Sequence, residues 1–281
     1  MISGAVVCSI PKYRPAGPSA LKRSPCVSQE PRQDIQRAAQ MIREARSIVV
    51  LTGAGVSAES GISTFRDAEM GLWAKYDPME LAHIDAFHRD PELVTRWYHW
   101  RFTRCKDCTP NPGHHALAEL QRQTEARGGS FSLLTQNVDG LHQRAGSTNV
   151  SEIHGTILTW RCTKTGKHHE LEDIDFSSFP PTSEAGGILR PNVIWFGEML
   201  PEKELERAFS DSSTCDVFMS VGTSSVVQPA ASLIDLAKSH GARTIEVNLE
   251  PTPISESVDV SLFGKAGEEL PKVLDQLNGE A

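Results

Sequence analysis

Apolar positions along the chain follow two different rhythms. Ile35, Ala38, Ala39 and Ile42 recur at helical spacing, which predicts an amphipathic helix over 34–45. A continuous apolar run, SIVVL, follows and ends in Thr52 and Gly53, as a strand buried on both faces would. The runs SFSLLTQN (130–137), DVFMSVGTS (216–224) and RTIEVNLE (243–250) predict three more such strands. Ala230, Leu233, Ile234 and Ala237 return to helical spacing, and Gly241 supplies a stop. Doubly buried strands alternating with helices imply an α/β fold: a Rossmann-like parallel sheet with helices on both faces. No internal repeat is present.

Two regions leave that alternation. Residues 66–112 form a long excursion with at least one helix, for which Asp90 is the expected N-cap and Pro91 the first residue. Residues 159–190 are polar and irregular, and SSFPPTSEAGG reads as loop. Both read as insertions near the carboxyl ends of strands, where open α/β sheets bind ligands.

Composition narrows the class. Of 281 residues, 39% are apolar and 23% charged, the balance of a soluble globular protein with one substantial core. No apolar run approaches the ~20 residues that span a bilayer, so no membrane partner is expected. The formal net charge of −8 argues against nucleic acid as a partner. Six cysteines in a chain this long suit a reducing compartment rather than a disulfide framework. Residues 1–33 stand apart: Lys12, Arg14, Lys22 and Arg23 precede the first acidic residue, Glu30. That composition fits a mitochondrial transit peptide, but Pro11, Pro15, Pro18 and Pro25 break any amphipathic helix and favour a disordered tail on a cytoplasmic protein. The expected organisation is therefore a tail over 1–33 and one catalytic domain over 34–281, which carries the 66–112 insertion and a reduced small module at 159–190.

The chemistry concentrates where strands end. The stretch TGAGVSAESGISTFR (52–66) places small residues at nearly every step, with Gly53 and Gly55 at the turn. Missing side chains let backbone N–H groups approach a pyrophosphate, although a tight turn needs glycine for steric reasons alone. The acidic residue that a hydride-transfer fingerprint wants ~20 residues later, in a compact βαβ unit, is displaced by the excursion. TQNVDGLH, VGTSS and VNLE end the other strands, and four polar clusters on one sheet edge point to a dinucleotide.

Taken together, TGAGVSAESGISTFR, TQNVDGLH, EIHG, RPNVIWFGE, VGTSSVVQPAA and VNLE resemble the sirtuin family of NAD-dependent protein deacylases, in the family's order and over roughly 34–275. The resemblance implies that NAD is consumed as a co-substrate and that acyl-lysine is converted to lysine, nicotinamide and O-acyl-ADP-ribose. It implies a phosphate cradle from Gly53, Ala54, Gly55, Ser57 and Glu59, and a mobile cofactor loop through Phe65 and Arg66, in which Ser63 replaces the family's usual proline. Gln136, Asn137 and Asp139 would position the nicotinamide ribose and the bond attacked. His154 would be the general base, a task that imidazole's near-neutral pKa suits. Gly222, Thr223, Ser224, Asn248, Glu250 and Ala266 match adenosine-side contacts. Ile194, Phe196, Gly197 and Glu198 lie in the segment that pairs with substrate peptide as an added strand. From the residues alone, His154 reads as structural and NVIWFGE as an ordinary edge strand with a packing Trp195.

WYHWR puts Tyr98 and Arg101 on one helix face. Such a pair usually packs and snorkels, but it also resembles the class III sirtuins, which remove succinyl, malonyl and glutaryl groups; Ala82 matches their small, channel-widening residue. Arginine suits a carboxylate because it donates two parallel charge-assisted bonds. The family's two Cys-x-x-Cys pairs are reduced here to Cys162, with His168 and His169 nearby, so no zinc is expected; Leu158, Trp160, Leu171, Phe176, Phe179 and Ile188 would pack in its place. Cys105 and Cys108 form the chain's only Cys-x-x-Cys and read as helix-end residues. The expected partners are acyl-lysine proteins or peptides, met by a monomer. The competing functions are acetyl-lysine deacetylation, mono-ADP-ribosyl transfer and silent NAD binding.

Overall fold

The structure, a computed structural model, describes residues 7–9, 31–62 and 75–279. Helix α1 (Pro31–Glu44) leads into strand β1 (Ser47–Thr52). The excursion carries α2 (Pro78–Leu81), α3 (Ile84–Arg89), α4 (Pro91–Cys105) and α5 (Pro112–Ala126). Asp90 caps α4 as expected, accepting from Leu93 N–H at 2.9 Å. Next come β2 (Ser130–Thr135), α6 (Leu141–Arg144) and β3 (Ser151–Glu152). The small module contains β4 (Gly155–Cys162), β5 (His168–Glu170) and β6 (Leu189–Val193). The chain closes through α7 (Glu202–Thr214), β7 (Val217–Val221), α8 (Leu233–Ser239), β8 (Arg243–Asn248), β9 (Val260–Phe263) and α9 (Ala266–Gly279).

Strands β3, β2, β1, β7, β8 and β9 form one sheet in that order, with every pairing parallel. Alternation along β1 explains both helical layers. Ile48 and Val50 meet Ala38, Ile42, Leu117 and Val273 from α1, α5 and α9. Val49 and Leu51 meet Ala208, Leu233, Ile234 and Ala237 from α7 and α8. That two-sided burial is why the strands read as unbroken apolar runs. After β2 the chain returns to the opposite side of β1 as β7, which makes the β1–β7 boundary the topological switch point.

One expectation is corrected. Residues 159–190 were expected to be irregular; SSFPPTSEAGG is loop as expected, but around it β5, β4 and β6 form a three-stranded antiparallel sheet. Pairing between β4 and β6 shifts register between Gly155 and Trp160. Buried Ile157 and Trp160 therefore break the two-residue alternation that marks a strand. Within the stretch expected as a disordered tail, Val7 and Ser9 pair in β-bridges. The third cluster joins this module to the excursion: Trp160, Leu171, Ile174 and Leu189 pack with Ala82, Trp97, Tyr98 and Trp195.

Candidate active site

The turn after β1 packs backbone to backbone on the turn after β7. Gly55 N–H donates to Gly222 O at 2.8 Å, and Gly222 N–H donates to Val247 O at 2.8 Å. A Cβ on Gly55 would lie 2.7 Å from Gly222 O, and one on Gly222, whose φ is +60°, would lie 2.4 Å from Val56 N. Gly55 and Gly222 are thus demanded by the contact between turns as well as by any ligand. Beyond Gly53 the chain makes 3₁₀ turns over Ala54–Val56 and Ala58–Ser60. Glu59 reaches the start of α9 and accepts from Gly267 N–H at 2.9 Å, next to buried Ala266. Phe65, Arg66 and Ser63 lie outside the described residues.

A buried polar chain crosses the switch point. Asn111 caps α5, and its N–H donates to His114 Nδ1 at 3.3 Å. The remaining ring nitrogen, Nε2, therefore carries the proton and faces Ser57 Oγ at 3.3 Å. Ser57 donates to Asp139 Oδ2 at 2.8 Å, while Asp139 Oδ1 accepts from Leu141 N–H at 2.9 Å. Asn137 donates to Gly53 O at 3.0 Å and to Ser57 Oγ at 3.1 Å. Both amide hydrogens of Asn137 are engaged, which leaves its carbonyl oxygen for a ligand. Gln136 donates to Thr223 Oγ1 at 2.9 Å and ties the β2 edge to the β7 edge. Burial lowers His114 to about 4, with His115 adding to the shift, and it raises the Asp139 carboxyl.

His154 follows β3 at the same edge. Its Nδ1 lies 3.3 Å from Gln136 O. A carbonyl only accepts, so Nδ1 carries the hydrogen and Nε2 is the bare, basic nitrogen. Burial lowers the ring to about 4, partly offset by the Gln136 bond, so the imidazole is neutral at pH 7. His154 O accepts from Ile194 N–H at 2.9 Å, which sets the 194–198 segment beside the ring. Phe196 N–H donates to Ala82 O, and Ile84 N–H to Phe196 O, at 2.9 and 3.1 Å. Tyr98 and Arg101 are 3% and 8% exposed on α4. Tyr98 lies edge-on to Trp97 at 4.7 Å, and the Arg101 guanidinium sits 5.0 Å over the Trp97 ring. Burial raises the Tyr98 phenol, which keeps its proton.

Some candidates stand elsewhere or serve differently. Arg190 grips the Glu198 carboxylate at 2.6 and 2.8 Å, and Trp195 N–H donates to it at 2.9 Å. The side chain of Glu198 is thus spent inside the fold, and only its backbone is left for a peptide. Trp195 itself is buried, with Arg190 3.4 Å over its ring. Asn248 turns its side chain to Glu250 O at 2.9 Å, and Glu250 is exposed. Ser224 is half-buried beside Thr223. Cys162 meets Ser183 Oγ at 3.1 Å, whereas His168 is exposed on β5. Among the described residues, no three His, Cys, Asp or Glu side chains cluster as a metal site. Cys105 ends α4, and Cys108 lies just beyond it, with its Sγ donating to Arg104 O. Sequence reasoning missed His114, Arg190 and Cys8; the Asn-Pro start of α5 was the available signal for His114.

The Gly53, Gly55 and Gly222 turns, with Ser57, Gln136, Asn137 and Thr223 around them, supply the neutral donors and acceptors that a dinucleotide's phosphates and ribose need. Comparison with known proteins agrees. The Sir2 family profile matches residues 53–229. The chain is 48% identical over 240 residues to NAD-dependent protein deacylase 2 of Pyrobaculum aerophilum, covering 85% of this chain and 94% of that protein. It is 48% identical over 228 residues to the NAD-dependent protein deacylase of Thermus thermophilus, covering 81% and 89%. The crystal structure of a Sir2 homolog–NAD complex superposes with a TM-score of 0.80 at 45% identity, covering 87% of this chain and 94% of that one. A Sir2 bound to acetylated peptide gives 0.78 at 31% identity, covering 88% and 99%. A chain built on this sheet, with these turns meeting at its switch point and relatives this close along most of its length, belongs to the Sir2 family, the sirtuins.

Proposed function

We propose that this NAD-dependent protein deacylase acts on lysines carrying acidic acyl groups: succinyl, malonyl or glutaryl. Bound NAD supplies the glycosidic bond that breaks and the ribose that receives the acyl group. His154 Nε2 is the base that takes a ribose hydroxyl proton, held in its tautomer by Gln136 O. Asn137 and Asp139 hold the ribose end, braced through Ser57. The peptide pairs with the backbone of 194–198, and Ala82 leaves room beside Phe196.

The observation that carries the acyl preference is a buried guanidinium. Arg101, 8% exposed, shares a face of α4 with Tyr98 and lies over Trp97, both members of an apolar cluster. A cation in such surroundings binds a carboxylate far better than a methyl group, through charge-assisted bonds of about 1.5–3 kcal/mol each. The Tyr98 phenol, kept protonated by burial, adds a donor. Arg101→Met is expected to cut kcat/KM for succinyl-lysine peptide at least about tenfold while sparing acetyl-lysine turnover. Equal losses for both peptides would make Arg101 structural, and a wild-type preference for acetyl-lysine would remove the reading. By the same reading, the small module packs without zinc.

A further inference from the structure

Three amino-terminal residues lie in the groove beside His154. Cys8 N–H donates to Glu198 O at 3.1 Å, and Gly197 N–H donates to Cys8 O at 3.2 Å. On the other side, Ser9 N–H donates to Gln228 O at 3.1 Å, and Gln228 N–H donates to Ser9 O at 2.9 Å. Val7 bridges Met199 and Ser9 bridges Gln228, both antiparallel. Val7–Ser9 is therefore the central strand of a three-stranded antiparallel patch, held on both edges by backbone alone. Side chains alternate as in any strand: Val7 and Ser9 are exposed, while Cys8 is 3% exposed. The Cys8 thiol ends 4.0 Å from His154 Nε2, the nitrogen left free by the Gln136 bond.

These contacts are what an extended substrate would need: two backbone edges to pair with, and one inward side chain aimed at the base. A peptide's acyl-lysine could not reach His154 while Cys8 fills that position. The cysteine offers no acyl carbonyl, so the strand occupies the groove without being turned over. We infer that Val7–Ser9 is a built-in competitor of the acyl-lysine peptide, seated in its groove with Cys8 in the acyl-lysine position, and that substrate must displace it. This rests on the reading that peptide pairs with 194–198. Burial, with Glu198 adding to it, raises the Cys8 thiol to about 12, so the seated thiol is protonated and shielded.

The test uses the full chain, a fluorescent acetyl-lysine peptide and a fluorescent succinyl-lysine peptide, and N-ethylmaleimide with mass-spectrometric mapping of Cys8. Ser9→Pro removes one of the four backbone bonds from an exposed position of the strand. It is expected to tighten peptide binding about threefold or more, to lower the peptide KM to match, and to leave kcat unchanged. In wild type, Cys8 labelling is expected to be slow and to rise with peptide concentration, saturating as the peptide binds. Peptide that binds wild type and Ser9→Pro equally, with Cys8 labelling unaffected, overturns the competitor. Peptide that binds neither chain overturns the groove assignment, and the competitor with it.

Discussion

Burial keeps both His154 and His114 neutral, with different consequences. His154 gives one nitrogen to Gln136 O and keeps the other bare, the form that a base needs. Its acid limit should follow its pKa, which burial places at about 4. The kcat profile is therefore expected to hold through pH 6.5, the ordinary histidine value, and to fall only below it; a limb at 6.5 or above would contradict this. His154→Tyr is expected to lose at least about 10²-fold in turnover with an unchanged melting temperature. Asn137→Ala should suppress nicotinamide release to a similar degree, and unchanged nicotinamide exchange would refute its role. His114 accepts from Asn111 N–H, and protonation would destroy that acceptor. Its folded pKa of about 4 lies below the unfolded value. Its contribution is thus complete above pH 6.5 and is lost as pH falls toward 4, on the order of 3 kcal/mol for this fully buried ring. The raised Asp139 carboxyl acts in the opposite direction. Urea midpoints at pH 7.5 and 5 should diverge for wild type, and less so for His114→Gln, which keeps a capping side chain but does not titrate.

At the level of elements, the turns after β1 and β7 form one unit, because each leaves no room for a side chain on the other. Gly55→Ala would push a methyl to 2.7 Å from Gly222 O. It should cost about 1–3 kcal/mol and weaken NAD binding together with stability, as calorimetry and thermal melts would show. A stable variant with normal NAD affinity would mean that the turns can part. The sheet was legible because β1, β2, β7 and β8 are buried on both faces and read as apolar runs bounded by helical spacing. The small sheet was not, because the register shift in β4 hides its alternation. The site was legible where residues follow strand ends: Gly53, Asn137, Asp139 and Thr223 converge. It was illegible where partners come from far along the chain. Nothing local to EIHG announces that Gln136 O fixes the His154 tautomer, or that Cys8, 146 positions away, faces its ring. Glu198 looked available to a peptide because Arg190, which grips it, reads as an ordinary polar residue ahead of Pro191.

Over the whole molecule, the reading proposed above makes packing, rather than a metal, the source of the small module's order. Here β4, β5 and β6 rest on α4 and the segments around it. Trp160 is fully buried and meets Phe176 edge-on at 5.2 Å. Phe176 stacks on His99 at 4.2 Å, and Phe179 lies under the Arg96 guanidinium at 4.5 Å. Leu171 and Leu189 are buried in the same cluster, with Leu158 and Ile188 partly buried against it. Burying a tryptophan of this kind contributes about 3–5 kcal/mol against truncation to alanine, enough to order a short module by packing. Cys162 Sγ meets Ser183 Oγ at 3.1 Å, and a Cβ at Gly187 would sit 2.5 Å from it. Elemental analysis is expected to find zinc far below one per chain, and strong chelator to leave melting temperature and deacylation unchanged. Trp160→Ala should lower stability by that amount and loosen α4, weakening succinyl-lysine turnover through Tyr98 and Arg101. Zinc that survives purification and leaves with Cys162→Ser would overturn packing as the source of the module's order. Loss with Cys105→Ser or Cys108→Ser would instead place a metal at the end of α4, where Cys108 Sγ now donates to Arg104 O.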